Sequence, residues 1–382
     1  MDYVGKCTQT NIRSFRDMIK YNSFYETIPK VACDIEFIQA EFKKRLHYAS
    51  MGRFGIFHIL NAVKQNNDFG ERVMMPVYAC DSIAWAIRKA GYVPIYYDIC
   101  EEDLNGSLDN IKKVAKNSGS KILLLPSLYG NPANLIEAEK FCIEAGIFLI
   151  DDAAQAFGAT LGDKMVGSFG DSGLFSFSAG KPTFGHMGCY FWLDLNYYIK
   201  RTKHYLYHRL EYFNFFFNRY GDYNSKRLYR IKTLKYFSIV LFKLLNIEND
   251  DICRFEKPLL AKIAKGNLKG LRDIRTEVIR KVRILFQGTR YRLIEAVRGV
   301  PNNNKIVLVA ESEILAKDFM KYFKNNNLYC AHGYHLLDKE TNNYPVAASL
   351  YKRVIEIPIV LDNERNLLTI KCIEKYLKKC IN

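Results

Sequence analysis

The chain has 382 residues, 49% hydrophobic and 25% charged, with a net charge of +16. That length suits two subdomains rather than one small core, and the apolar content excludes a disordered chain. The basic balance fits nucleic acid, an anionic membrane surface or phosphorylated small molecules without choosing among them. No uncharged apolar run reaches the roughly 18 residues of a membrane helix.

In chain order, MDYVGKCTQTNIRSF lacks the apolar core of a signal peptide, so a cytoplasmic protein is expected. SMGRFGIFHILNAV predicts an amphipathic helix with a cap at Ser50 and Gly52 in its first turn. RVMMPV predicts a strand, SIAWAIRKAG a helix ending at Gly91, and YVPIYYDI a strand. Residues 121–150 predict one β-α-β unit. KILLLPSL is its first strand, Asn131 the N-cap and Pro132 the first position of its helix, and GIFLI its second strand. Leu135, Ala138, Phe141, Cys142 and Ala145 form the helical stripe, which Gly146 closes. Asp151 and Asp152 fall at the carboxyl end of GIFLI. GLFSFS and CYFWL predict short strands on either side of Lys181. This alternation predicts an α/β fold with a mostly parallel sheet covered on both faces, its ligand site beyond the carboxyl ends of the strands.

Residues 197–250 differ, with many Lys and Arg, few acids, and Tyr and Phe interleaved. Three readings stay open: solvated helices, a surface attracting phosphates or a partner subunit, and peripheral membrane contact near YFSIVLFKLL. No nucleic-acid-binding signature accompanies them, so no nucleic acid is expected. From about 300 the pattern restarts with KIVLVA as strand, SEILAKDFMKYF as helix, VIEIPIVL as strand and ERNLLTIKCIEKYLKK as closing helix. The expected division is a large domain over 1–250 and connecting helices with a small C-terminal domain over 251–382. The ten cysteines lack zinc spacing and read as reduced thiols, with no metal site.

Taken singly, Asp152 reads as a turn cap, Gln155 as an ordinary turn residue and Lys181 as a surface cation. Together they are more specific. IDDAAQAFGA, followed by GSFGDSGLFSFSAGK, resembles the DegT/DnrJ/EryC1/StrS family of pyridoxal-phosphate (PLP)-dependent sugar aminotransferases, of fold type I. VMMPVYACDSIAWAIRKAGYVPIYYDI, SLYGNPANL and YPVAASLYKRVIEIPI match further family blocks in order, so the resemblance covers about 35–195 and 300–380.

The resemblance implies a homodimer binding PLP and aminating a nucleotide-linked keto-deoxysugar for cell-surface polysaccharide biosynthesis, with glutamate as amino donor. By the same resemblance, Lys181 joins the cofactor aldehyde and carries protons, Asp152 pairs with the ring nitrogen, and Gln155 lies against the phenolic-oxygen side. Ser176 donates to the phosphate, with the backbone N–H groups of Gly52, Arg53 and Phe54 at a helix start. The Arg53 side chain is open to the phosphate or to solvent. Tyr78 is the nearer aromatic to cover the ring. His186 replaces a glycine or acidic residue and either touches substrate or faces the dimer. The family's G-x-N-x-R loop, which reaches the neighbouring subunit, is not recognisable; 197–250 stands in its place. Lysine rather than histidine at 181 separates the chain from related dehydratases. The competing reading is a catalytically inactive relative that serves as a binding or regulatory protein.

Overall fold

The computed structural model describes residues 44–49, 51–66, 69–177, 181–182, 188–195, 268–360 and 363–381. The basic stretch 197–250, the boundary near 250 and His186 lie outside these residues.

Strands β1 (Leu46–Ala49), β2 (Arg72–Pro76), β3 (Val93–Tyr97), β4 (Ile122–Pro126), β5 (Phe148–Asp152), β8 (Ser172–Ser176) and β9 (Cys189–Leu193) form a seven-stranded sheet. Its order is β1-β9-β8-β5-β4-β2-β3. The five strands from β8 to β3 run parallel; β9 is antiparallel to both β8 and β1. β6 (Thr160–Leu161) and β7 (Lys164–Met165) form a separate hairpin.

Helices cover both faces because the strands are apolar on both. In β4, Ile122 and Leu124 pack on one side with α1 (Gly52–Asn66) and α2 (Asp81–Lys89). Leu123 and Leu125 pack on the other with α3 (Leu108–Ser118) and α4 (Leu135–Ala145). Successive strand residues point to opposite faces, so an unbroken apolar run marks a central parallel strand. Each such leucine contributes roughly 1.5–3 kcal/mol by leaving water.

The helix predicted to begin at Asn131-Pro132 begins instead at Leu135. The Asn131 carbonyl accepts from Asn105 Nδ2 at 3.1 Å, and the Ala133 N–H donates to Ser127 Oγ at 3.0 Å. These contacts hold residues 131–133 outside the helix. Before them, Leu128–Gly130 make one 3₁₀ turn with Tyr129 at φ +57° and Gly130 at φ +87°.

The second unit carries an antiparallel sheet, order β10-β11-β13-β12, of Tyr291–Leu293, Lys305–Ala310, Val354–Pro358 and Ala331–His332. α5 (Leu268–Phe286), α6 (Glu313–Asn325) and α8 (Asn363–Ile381) share its core. The short α7 (Pro345–Leu350) lies in the seam between the units, where Val77, Tyr78 and Tyr129 pack with Val307, Val309, Ala347 and Val354. Asp98, just past β3, fixes that seam: its carboxylate accepts from the N–H groups of Val346 and Ala347, both at 2.9 Å.

Candidate active site

The strand registers align the carboxyl ends. Pro126 pairs with Asp152, Asp152 with Leu174, and Ser176 with Cys189. Asp152, Ser176 and the start of β9 therefore share one edge of the sheet.

Asp152 is 4% exposed, and its Oδ1 accepts from Ala154 N–H at 2.9 Å. Burial raises its pKa, opposed by that N–H and by the positive charge of Lys181. The half-buried Lys181 thus lies within electrostatic reach of Asp152 although 29 residues separate them in sequence. Cys189 senses both charges: burial pushes its thiol up, Asp152 adds to the rise, and the Phe175 backbone and Lys181 oppose it. Two buried phenols, Tyr97 and Tyr334, are raised well above their ordinary values by burial, with Asp152 contributing to each. They stay neutral near Asp152.

The neighbouring Asp151 does different work. Its Oδ2 accepts from Gly167 N–H at 2.6 Å and Phe169 N–H at 3.1 Å, fixing the turn that leads into β8.

Gln155 is held from both units. Its Oε1 accepts from Tyr129 N–H at 3.2 Å, and its Nε2 donates to Tyr334 Oη at 2.7 Å. Its carbonyl accepts from Asn302 Nδ2 at 2.8 Å. Tyr334 stacks on Tyr129, with ring centroids 5.8 Å apart. The sequence by itself assigns no role to Tyr334, Tyr129 or Asn302. The run AHGYHL at β12 was the signal that could have drawn attention to Tyr334.

The start of α1 adjoins Ser176. A Cβ placed on Gly52 would lie 3.4 Å from Ser176 Cβ and 3.5 Å from its Oγ. A larger side chain there would crowd the space over that hydroxyl. A helix start offers N–H donors and a partial positive charge. Of the three amides predicted to bind phosphate, Phe54 N–H donates to the Met51 carbonyl at 3.0 Å, which removes it from the set. Gly52 and Arg53 remain as the amides at the helix start. The Arg53 guanidinium lies over the Trp85 ring, 5.2 Å from its centroid, an arrangement expected neither for a phosphate ligand nor for a fully solvated side chain.

Tyr78 also differs from expectation. It is fully buried, and its hydroxyl meets Tyr129 Oη at 2.6 Å and accepts from Tyr334 N–H at 3.1 Å. The ring is enclosed in the seam, so it is no open platform for a cofactor. The adjacent segment closes in an isolated bridge from Tyr78 to Leu336, which explains why: the second unit covers this end of β2.

A mostly parallel sheet, a carboxylate and a lysine at its carboxyl edge, and a helix start beside a strand-end serine define the fold-type I architecture of PLP-dependent enzymes. The 3-dehydratase of GDP-4-keto-6-deoxy-D-mannose from Escherichia coli, solved with hydrated PLP bound, has this fold. Its TM-score is 0.64 at 16% identity, over 90% of each chain. Residues 50–207 match the DegT/DnrJ/EryC1/StrS aminotransferase family. The GDP-perosamine synthase of Vibrio cholerae is 30% identical over 29% of this chain and 30% of its own. The dTDP-4-dehydro-2,3,6-trideoxy-D-glucose 4-aminotransferase of Saccharopolyspora spinosa is 30% identical over 37% of each. The matched regions thus span about a third of these curated relatives.

The residues present fit PLP. Asp152 would hold the ring nitrogen, Lys181 the aldehyde end, and Ser176 with the Gly52 and Arg53 amides the phosphate. Among the described residues no helix is long and apolar enough to cross a membrane.

Proposed function

We propose that the chain is a PLP-dependent aminotransferase that converts a nucleotide-linked keto-deoxysugar to an aminosugar, with glutamate as donor, acting as a cytoplasmic homodimer in polysaccharide biosynthesis. The observation that carries the reading is a carboxylate 4% exposed at the sheet edge, within the field of Lys181 and beside the Ser176–Gly52 seat.

When bound, PLP supplies an electron sink for the carbon that gains or loses the amino group. The protein supplies the rest. Asp152, kept from water, favours a protonated nitrogen opposite it, because one N–H and the Lys181 cation oppose the desolvation that would neutralise it. Lys181 Nζ is the amine that would move a proton between two carbons held at this edge. Ser176 Oγ and the α1 start offer donors and partial positive charge to a phosphate. Gln155, fixed by Tyr129 and Tyr334, presents one orientation to whatever lies against it. Two nucleotide-sugar enzymes among the relatives support the substrate class.

The test is spectroscopic. Protein reconstituted with PLP should show a visible absorption band absent from Lys181→Ala, and glutamate should bleach it. The pyridoxamine-phosphate form should then regain the band with one member of a panel of nucleotide ketosugars. A band unmoved by every amino donor would favour the inactive, binding-protein alternative. No band at all would remove Lys181 from its role.

A further inference from the structure

We infer that Arg275, on α5 of the second unit, is a positioning residue for Lys181. Its guanidinium Nη2 donates to the backbone carbonyl of Pro182, the residue that follows Lys181. The inference rests on the PLP reading for its consequence, though not for its geometry.

Three features give this contact weight. First, Arg275 is 7% exposed, and a charged side chain is almost never buried without a partner. Here one partner is the main chain of the lysine segment, 93 residues away. Second, Pro182 has no N–H, so the peptide joining it to Lys181 offers no donor to any neighbour. Proline also disfavours helical backbone at Lys181. The Pro182 carbonyl is an acceptor on the chain's exit from Lys181, one residue past it. Third, the anchor is stiff. One turn beyond Arg275, Val278 and Ile279 are buried in the second core, with Val282 and Phe286 following on the same helix. A planar guanidinium keeps its direction better than a lysine ammonium would. The Lys181 amine is thus held toward Asp152 by a helix belonging to the other sheet.

The test uses cofactor-free protein. An amine-acylating reagent is applied, and the labelling rate of each lysine is read by peptide mass spectrometry. In Arg275→Met, Lys181 should label about tenfold faster than in wild type, equivalent to ~1.4 kcal/mol of lost restraint. Arg275→Lys should fall between. Arg280→Met, exposed on the same helix and paired with Glu277 one turn away, should not change Lys181. Unchanged Lys181 labelling in both Arg275 variants would overturn the inference. So would an equal rise at every lysine of the first unit, which would mean loosening rather than positioning. If Arg275→Met does not fold, Arg275→Lys decides alone. With PLP added, the pH at which the visible band titrates should shift in Arg275→Lys; an unshifted titration beside faster labelling would confine the role to the cofactor-free state and overturn the positioning claim. If wild type takes up no PLP, the proposed function fails, and the labelling result still stands by itself.

Discussion

Gly130→Ala is a severe change for one methyl group. Gly130 has φ +87°, and a Cβ there would lie 2.0 Å from Asn302 Oδ1 and 2.7 Å from its Cγ. Asn302 cannot swing aside freely, because its Nδ2 donates to the Gln155 carbonyl at 2.8 Å and the Phe157 carbonyl at 3.2 Å. Backbone strain for a residue with a Cβ contributes about 1–2 kcal/mol, and overpacking about 1–3 kcal/mol, for a total of about 2–5 kcal/mol. At ~2–4 °C per kcal/mol, the melting temperature should fall by about 4–20 °C. The assay is a thermal and urea double-mutant cycle with Asn302→Ala. Removing the obstacle should leave only the strain, so Gly130→Ala should cost about 1–2 kcal/mol in that background. Equal costs in both backgrounds would refute the steric account, as would a single variant within about 0.5 kcal/mol of wild type. Because Asn302 also grips Gln155, the single variant should weaken PLP binding as well.

Asp152→Asn should retain the fold and cofactor binding but slow amino transfer by about two to four orders of magnitude, measured as the rate of band bleaching by glutamate. Normal turnover would place the ring-nitrogen partner elsewhere. Ser176→Ala should weaken PLP binding about tenfold, ~1.4 kcal/mol, in equilibrium dialysis. Burial pushes Asp151 up to about 8 from an ordinary 3.8, against the Gly167 and Phe169 N–H groups. The folded protein thus holds an extra proton between those values. Its contribution to stability is full below about 3.8 and lost as pH rises through about 8. Wild type should lose stability over that window, and Asp151→Asn should lose less; parallel curves for the two proteins would contradict this.

The sheet was legible in the sequence because β4, β5, β8 and β9 are short apolar runs, and their ends carry the motif residues. Asp152 and Ser176 reached one edge through strand register alone. What escaped was set by contacts distant in sequence. The start of α4 moved because Asn105 takes the Asn131 carbonyl from 26 residues away. Tyr78 is closed off by Tyr334, 256 residues on. Phe54 lost its role locally, to a carbonyl of the turn before α1. An N–H count along a helix start cannot reveal that, since any preceding carbonyl can fold back onto it.

The seam has a thermodynamic consequence. Each unit owns a core and could in principle unfold by itself. Asp98 on one side, and Asn302, Tyr334 and Arg298 on the other, are polar groups that meet across the boundary. Prying the units apart would give up these cross-boundary partners together, at about 0.5–1.5 kcal/mol for each hydrogen bond not replaced in kind. The two halves should therefore denature in a single transition. A ligand that touches only the first sheet, by stabilising the state in which the seam is shut, should shield α6 and α8 from proteases it never meets.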